Sequence, residues 1–163
     1  MKIIFIGDIV GRSGREAVLN NLPVLKKKFK PDIILANAEN AASGYGLTKK
    51  IANEFFDQGI DALTLGNHAW DQKEMLSYIE ECPKIIRAIN YPPGVPGRGE
   101  YKIELEDGRS LLVIQAMLRL FMELFLDDPF AAVINRLSSE FLGSTNNSIL
   151  IDIHGEATSE KNA

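Results

Sequence analysis

The chain has 163 residues, 45% of them apolar and 25% charged, which suits one globular domain able to bury a sizeable core. One cysteine, 13 glycines and 7 prolines exclude disulfide-stapled and collagen-like classes. The net charge of −4 divides into 9 basic and 6 acidic groups over residues 1–60 and 9 against 16 over residues 61–163, which disfavours bulk nucleic-acid binding.

In chain order, Lys2–Gly7 (KIIFIG) reads as a buried strand and Gly14–Phe29 as a helix tolerating Pro23 near a bend. Lys26, Lys27, Lys28 and Lys30 form a solvated cluster at its dipole-favoured end. Asp32–Ala38 (DIILANA) is a second strand, and Thr48–Gln58 a helix stopped by Gly59. Asp61–Leu65 is a third strand, Gln72–Glu81 a helix ending before Pro83, and Lys84–Ile89 a fourth strand. A Pro/Gly loop follows over Tyr91–Gly99. Glu100–Glu106 and Ser110–Ala116 read as a hairpin around Asp107-Gly108. Asp127–Leu142 reads as a helix with Asp127 or Asp128 as N-cap and Pro129 in its first turn. Ser148–Ile153 is a last strand, and a polar tail runs over His154–Ala163. The alternation predicts an α/β sandwich with a largely parallel sheet and an antiparallel part.

Asp8 interrupts the N-terminal apolar stretch too early for a signal peptide. The longest apolar-rich run, Leu111–Leu126, contains Gln115, Arg119 and Glu123 and falls short of the roughly 20 apolar residues a membrane span needs. With the lone Cys82, these features lead us to expect a cytoplasmic protein without a membrane partner.

The chemistry-bearing residues follow the strands. The first ends in Gly7-Asp8, the second in Glu39-Asn40, the third in Gly66-Asn67-His68 and the last in His154. Ligands of open α/β sheets bind outside these carboxyl ends. Both histidines of the chain lie there. Each position also has a plainer reading: Asp8 as a helix cap, Glu39 and Asn40 as satisfied loop groups, Asn67 and His68 as organisers of the Gly66 turn, and His154 as a structural histidine. Their joint occurrence favours a cation, because several unpaired acids and imidazoles buried together are costly without one. Oxygen and nitrogen donors without thiolates suit Mn, Fe, Zn, Co or Ni in an open site. A carboxylate such as Glu39 can bridge two cations about 3.5–4 Å apart, as a two-metal hydrolase requires.

These segments resemble the calcineurin-like metallophosphoesterases, most closely their YmdB-like branch of bacterial phosphodiesterases. The resemblance rests on Lys2–Gly14 (KIIFIGDIVGRSG), Asn37–Leu47 (NAENAASGYGL), Leu65–Asp71 (LGNHAWD) and Ile153–Lys161 (IHGEATSEK), supported by Asn90–Gly99 and Leu126–Phe130. It implies a sandwich of mixed, largely parallel sheets flanked by helices. It also implies two divalent metal ions (Fe, Mn or Zn): Asp8 as ligand of one metal, Glu39 as bridge, Asn40 on the Asp8 side, and Asn67 and His154 on the second metal. His68 resembles the family's general acid. The implied reaction is hydrolysis of small phosphodiesters such as cyclic mononucleotides, and family members often form homo-oligomers.

Where the broader superfamily has an Asp-x-His pair, this chain reads Asp8-Ile9-Val10, as the YmdB-like branch does. Family members continue through a Gly-x-His-x-His element with two further ligands. The resemblance therefore implies that residues 1–163 are a single metallophosphoesterase domain, the N-terminal, C-terminally truncated part of a longer fold. Five ligand residues for two cations predict weak metal binding and little turnover by this polypeptide alone. The alternative is a catalytically impaired remnant or interaction module. A third reading, dinucleotide binding through Gly7, Gly11 and Gly14 with Glu39 on a ribose, leaves Asn67, His68 and His154 without a role.

Overall fold

The computed structural model describes residues 1–122 and 124–163. Its elements are β1 (Ile3–Ile6), α1 (Gly11–Phe29), β2 (Ile33–Asn37), α2 (Lys49–Asp57), β3 (Ala62–Thr64), α3 (Met75–Glu81), β4 (Ile85–Ile86), β5 (Glu100–Glu104), β6 (Ser110–Met117), α4 (Pro129–Leu137), β7 (Ser148–His154) and α5 (Thr158–Lys161). The first four strands form one parallel sheet in the order β1-β2-β3-β4. The second sheet, β5-β6-β7, pairs β5 antiparallel and β7 parallel to β6.

Alternation along buried strands builds the layers. Ile34 and Ala36 of β2, with Leu63 and Ile85, pack against Leu22 of α1, Ala52 and Phe55 of α2, and Ile79 of α3. The opposite-facing Ile33, Leu35, Ala62 and Ile86 pack against Ile103, Leu111 and Val113 of the second sheet. Because successive side chains point to opposite faces, a strand buried on both sides is apolar throughout, as β2 is up to its last residue, Asn37. The expected α/β sandwich of mixed, largely parallel sheets flanked by helices is therefore the observed one.

Several boundaries differ from the sequence reading, the first helix starting at Gly11 rather than Gly14 among them, and three of the differences have a local reason. The fourth strand is only Ile85–Ile86, because Arg87 N–H donates to Arg98 O and Ile89 N–H to Gln115 O (3.0 and 2.7 Å), carrying the chain from one sheet to the other. The third helix begins at Met75 rather than Gln72, since the Asp71 and Gln72 side chains are engaged with His68 and the Tyr45 carbonyl. The fourth helix stops at Leu137 rather than Leu142. There the Ser138 hydroxyl donates to Asn135 O, and Glu140 accepts from Thr145 and Asn146, closing a loop that competes with helix. Asp128 is its N-cap, accepting from Phe130 and Ala131 N–H, while Asp127 N–H donates to Asn90 O. The α5 turn in the polar tail was not expected.

The hairpin end is tied to the first sheet by Arg109, whose guanidinium donates to Asp32 at 2.7 and 3.2 Å. That bond, together with Lys2 N–H, holds the Asp32 carboxyl at about 2. A carboxyl depressed below its unfolded value of about 3.9 contributes stability above that pH and loses it as pH falls through the folded value. Asp32→Asn should therefore lower the melting temperature at neutral pH, with the difference from wild type vanishing below about pH 2. Acid unfolding curves with a pH-independent difference would contradict this.

Candidate metal centre

The loops after the parallel strands are pinned to one another by backbone bonds. Ile9 N–H donates to Asn37 O at 3.2 Å, Gly11 N–H to Asn40 O at 2.9 Å, and Ala38 N–H to Thr64 O at 3.0 Å. Asp8 is consequently brought beside Asn40, whose Nδ2 donates to Asp8 Oδ1 at 3.0 Å. The plain reading of Asp8 as a helix cap fails: α1 has Val10 at its N-cap position, with no side-chain capping bond.

Glu39 is the buried member, 1% exposed. Its Oε2 accepts the His68 backbone N–H at 3.1 Å, and its Oε1 faces His154 Nε2 at 3.0 Å. His154 Nε2 also lies 2.9 Å from Asn67 Oδ1. This close approach explains Gly66: any Cβ there would overlap the Glu39 carboxylate. The carboxylate is thus held at the rim between the His68 N–H and the His154 ring. His154 reaches the group from the second sheet, where β7 pairs Met117 with His154. Burial lowers the affinity of its ring for a proton, but the hydrogen bond to Glu39 and the charges of Glu39, Asp152 and Asp8 outweigh this and raise its pKa above the ordinary value.

The His68 ring points elsewhere. Its Nδ1 lies 2.7 Å from Asp71 Oδ2, and it forms an edge-to-face pair with the Tyr45 ring, with centroids 5.7 Å apart. A cavity of about 440 Å³ opens in front, lined by Tyr45, Asn67, His68, Asp71, Phe121 and Glu156 among others. A larger cavity of about 720 Å³, around Arg98, Arg136 and Glu140, shares no residue with the strand-end rim.

The predicted residues therefore meet as two neighbouring sets: Asp8 with Asn40, and Glu39 with His154 and Asn67, while His68 stands in front with Asp71. Among the described residues, no three His, Cys, Asp or Glu side chains gather closely enough to hold a metal ion by themselves. The carboxamides of Asn40 and Asn67 make up the donor number. Two carboxylates, two carboxamides and one imidazole, all oxygen or nitrogen donors, fit divalent cations of the Mn, Fe or Zn kind. A cation would have to displace the proton that Glu39 favours on His154.

Sequence reasoning missed Asp71, although its three-residue spacing from His68 in LGNHAWD was available as a signal. It also missed a polar layer beneath the rim. Thr64 Oγ1 donates to Asp152 Oδ2 at 2.5 Å, and burial pushes the Asp152 carboxyl above the usual range despite that bond. Gln115, paired in register with Asp152, is fully buried, and neither amide atom has a partner among the described residues. Arg119 N–H is held by Glu160, and residue 123 of the same apolar-rich run lies outside the described residues. Among the described residues no helix is long and apolar enough to cross a membrane.

The model of the YmdB-like protein family matches residues 4–163. The chain is 45% identical over 161 residues to the 2',3'-cyclic-nucleotide 2'-phosphodiesterase of Bacillus subtilis, covering 99% of this chain and 60% of that protein. A crystal structure of a hypothetical protein from Thermus thermophilus superposes with a TM-score of 0.88 at 41% identity, over 99% of this chain and 61% of that one. The crystal structure of a novel phosphatase from Mycoplasma pneumoniae gives a TM-score of 0.86 at 28% identity, over 99% and 58%. The chain thus spans about three-fifths of the length of these relatives.

Proposed function

This chain belongs to the YmdB-like protein family, and from that premise we propose that it is a metal-dependent phosphodiesterase domain acting on small phosphodiesters such as cyclic mononucleotides. The observation that carries the proposal is the meeting of Asp8, Glu39, Asn40, Asn67 and His154 at the strand ends, with His68 facing a cavity beside them. Residues 1–163 would form one metallophosphoesterase domain, the N-terminal part of a longer fold. The expected setting is cytoplasmic, and homo-oligomers are expected.

Divalent cations held by Asp8, Asn40, Glu39, Asn67 and His154 would polarise the phosphoryl oxygens and make a nearby water more acidic. The protein's own groups supply the rest. The Glu39 carboxylate is fixed at the rim by the His68 N–H and by His154. With Asp71 accepting from His68 Nδ1, Nε2 would carry the second proton of the imidazolium and give it to the departing oxygen, leaving the neutral ring. The charge of Asp152 adds to that of Glu39 in favouring the protonated form of the His154 ring.

The test is hydrolysis of bis(p-nitrophenyl) phosphate by the purified chain with Mn(II), Fe(II) or Zn(II), and again with chelator. Slow, metal-dependent turnover abolished by chelator is expected. No turnover with any of the three ions would favour the competing reading of a non-catalytic interaction module, whose support is the absence, among the described residues, of three charged or imidazole side chains drawn together.

A further inference from the structure

We propose that Tyr45 and Phe121 form a nucleobase-stacking subsite that places the base of a nucleotide substrate in the cavity in front of His68; this deepens, and rests on, the phosphodiesterase reading. Both rings line that cavity of about 440 Å³, and both are exposed, Tyr45 at 64% and Phe121 at 86%. Large apolar rings left in water beside a reaction centre invite a planar partner.

Neither ring sits on a slack surface loop. The Tyr45 turn is closed by Tyr45 N–H to Ala42 O (3.1 Å) and Ala42 N–H to Gly46 O (2.9 Å), and Gln72 Nε2 donates to the Tyr45 carbonyl at 2.6 Å. Gly46 holds φ 81°, and a Cβ there would stand 3.1 Å from the His68 carbonyl, so the turn is built close against the histidine. The Tyr45 and His68 rings meet edge to face, at an interplanar angle of 88°, which covers at most one face of Tyr45. With the residue 64% exposed, a face remains available for stacking.

Phe121 is held by a different device. Its φ of 62° is left-handed, a conformation that bulky L residues avoid. The preceding Arg119 and Leu120 N–H groups are both fixed by the Glu160 carboxylate of the chain's last helix, at 2.8 to 3.1 Å. The strain presents the ring to the cavity rather than to the core.

Charge gives the orientation. Asp71 and Glu156 line the same cavity and repel phosphate, so the phosphodiester belongs at the strand-end rim and the uncharged base belongs between the aromatic rings. Stacking on aromatic faces is tolerant of base identity, so the subsite should favour nucleotides over base-free phosphate esters without a strong choice among bases.

The test is calorimetric titration of the chain, with Mn(II) present, using adenosine 2'-monophosphate, ribose 5-phosphate, inorganic phosphate and adenosine. Adenosine 2'-monophosphate should bind at least about tenfold more tightly than ribose 5-phosphate. Tyr45→Leu and Phe121→Leu should each remove about tenfold, and Tyr45→Phe should retain wild-type affinity. Equal affinity for the nucleotide and ribose 5-phosphate, or indifference to Tyr45→Leu, would overturn the subsite while leaving phosphate binding intact. Adenosine binding that Tyr45→Leu abolishes, with no binding of inorganic phosphate or ribose 5-phosphate, would uphold the subsite and sink the phosphodiesterase reading. No binding of any of the four overturns both.

Discussion

Gly66→Ala should strip the chain of divalent-metal affinity while leaving it folded. The new Cβ overlaps Glu39 Oε2 and would stand 2.8 Å from Oε1, so the carboxylate has to leave its place. It cannot do so cheaply, because it is buried and both oxygens are engaged, one by the His68 N–H and one by His154. Overpacking of this kind typically costs about 1–3 kcal/mol, which a domain of this size survives. Loss of groups that merely orient ligands already lowers metal affinity about 10–100-fold, and displacing the carboxylate proposed as a ligand should do at least as much. Circular dichroism would report the retained fold, and Mn(II) titration the lost binding. Undiminished binding in a folded Gly66→Ala chain would show that Glu39 is not a ligand.

The second large effect is expected at His68. Removing a positioned general acid costs about 10²–10⁴ in turnover. His68→Asn should lose this much in kcat with little change in KM or melting temperature, since the ring is partly exposed and meets the Asp71 carboxylate and the exposed Tyr45 ring. The loss should be larger for a cyclic nucleotide, whose alkoxide leaving group needs the proton, than for an aryl diester, whose phenolate departs readily without it. Asp71→Asn should show a smaller decrease of the same leaving-group dependence, because it disturbs the ring's tautomer and not its presence. Equal losses on the two substrates would remove His68 from the role of acid.

Much of this was legible in the residues. The doubly buried β2 announces itself as an apolar run, and Gly59 and Thr48 mark the ends of α2, where Thr48 Oγ1 accepts from Ile51 N–H at 3.2 Å. Placement of Asp8, Asn40, Asn67 and His154 at strand ends followed from the alternation alone. What stayed hidden depends on contacts between distant segments. Gly66 reads in sequence as a turn residue, and only the Glu39 carboxylate packed against it shows why no other residue fits. β4 is short because Arg87 and Ile89 find partners in residues 98 and 115, which no local pattern encodes. The polar layer of Thr64, Gln115 and Asp152 lies within strands whose periodicity reads as apolar core, and each member is visible only through the partner it meets or lacks.

The most direct measurement is titration of the metal-free chain with Mn(II), with free ion followed by electron paramagnetic resonance, in wild type and Glu39→Gln. A cation site at the strand-end rim predicts weak but saturable binding that Glu39→Gln abolishes. No saturable binding by wild type, or binding that Glu39→Gln leaves unchanged, would contradict it.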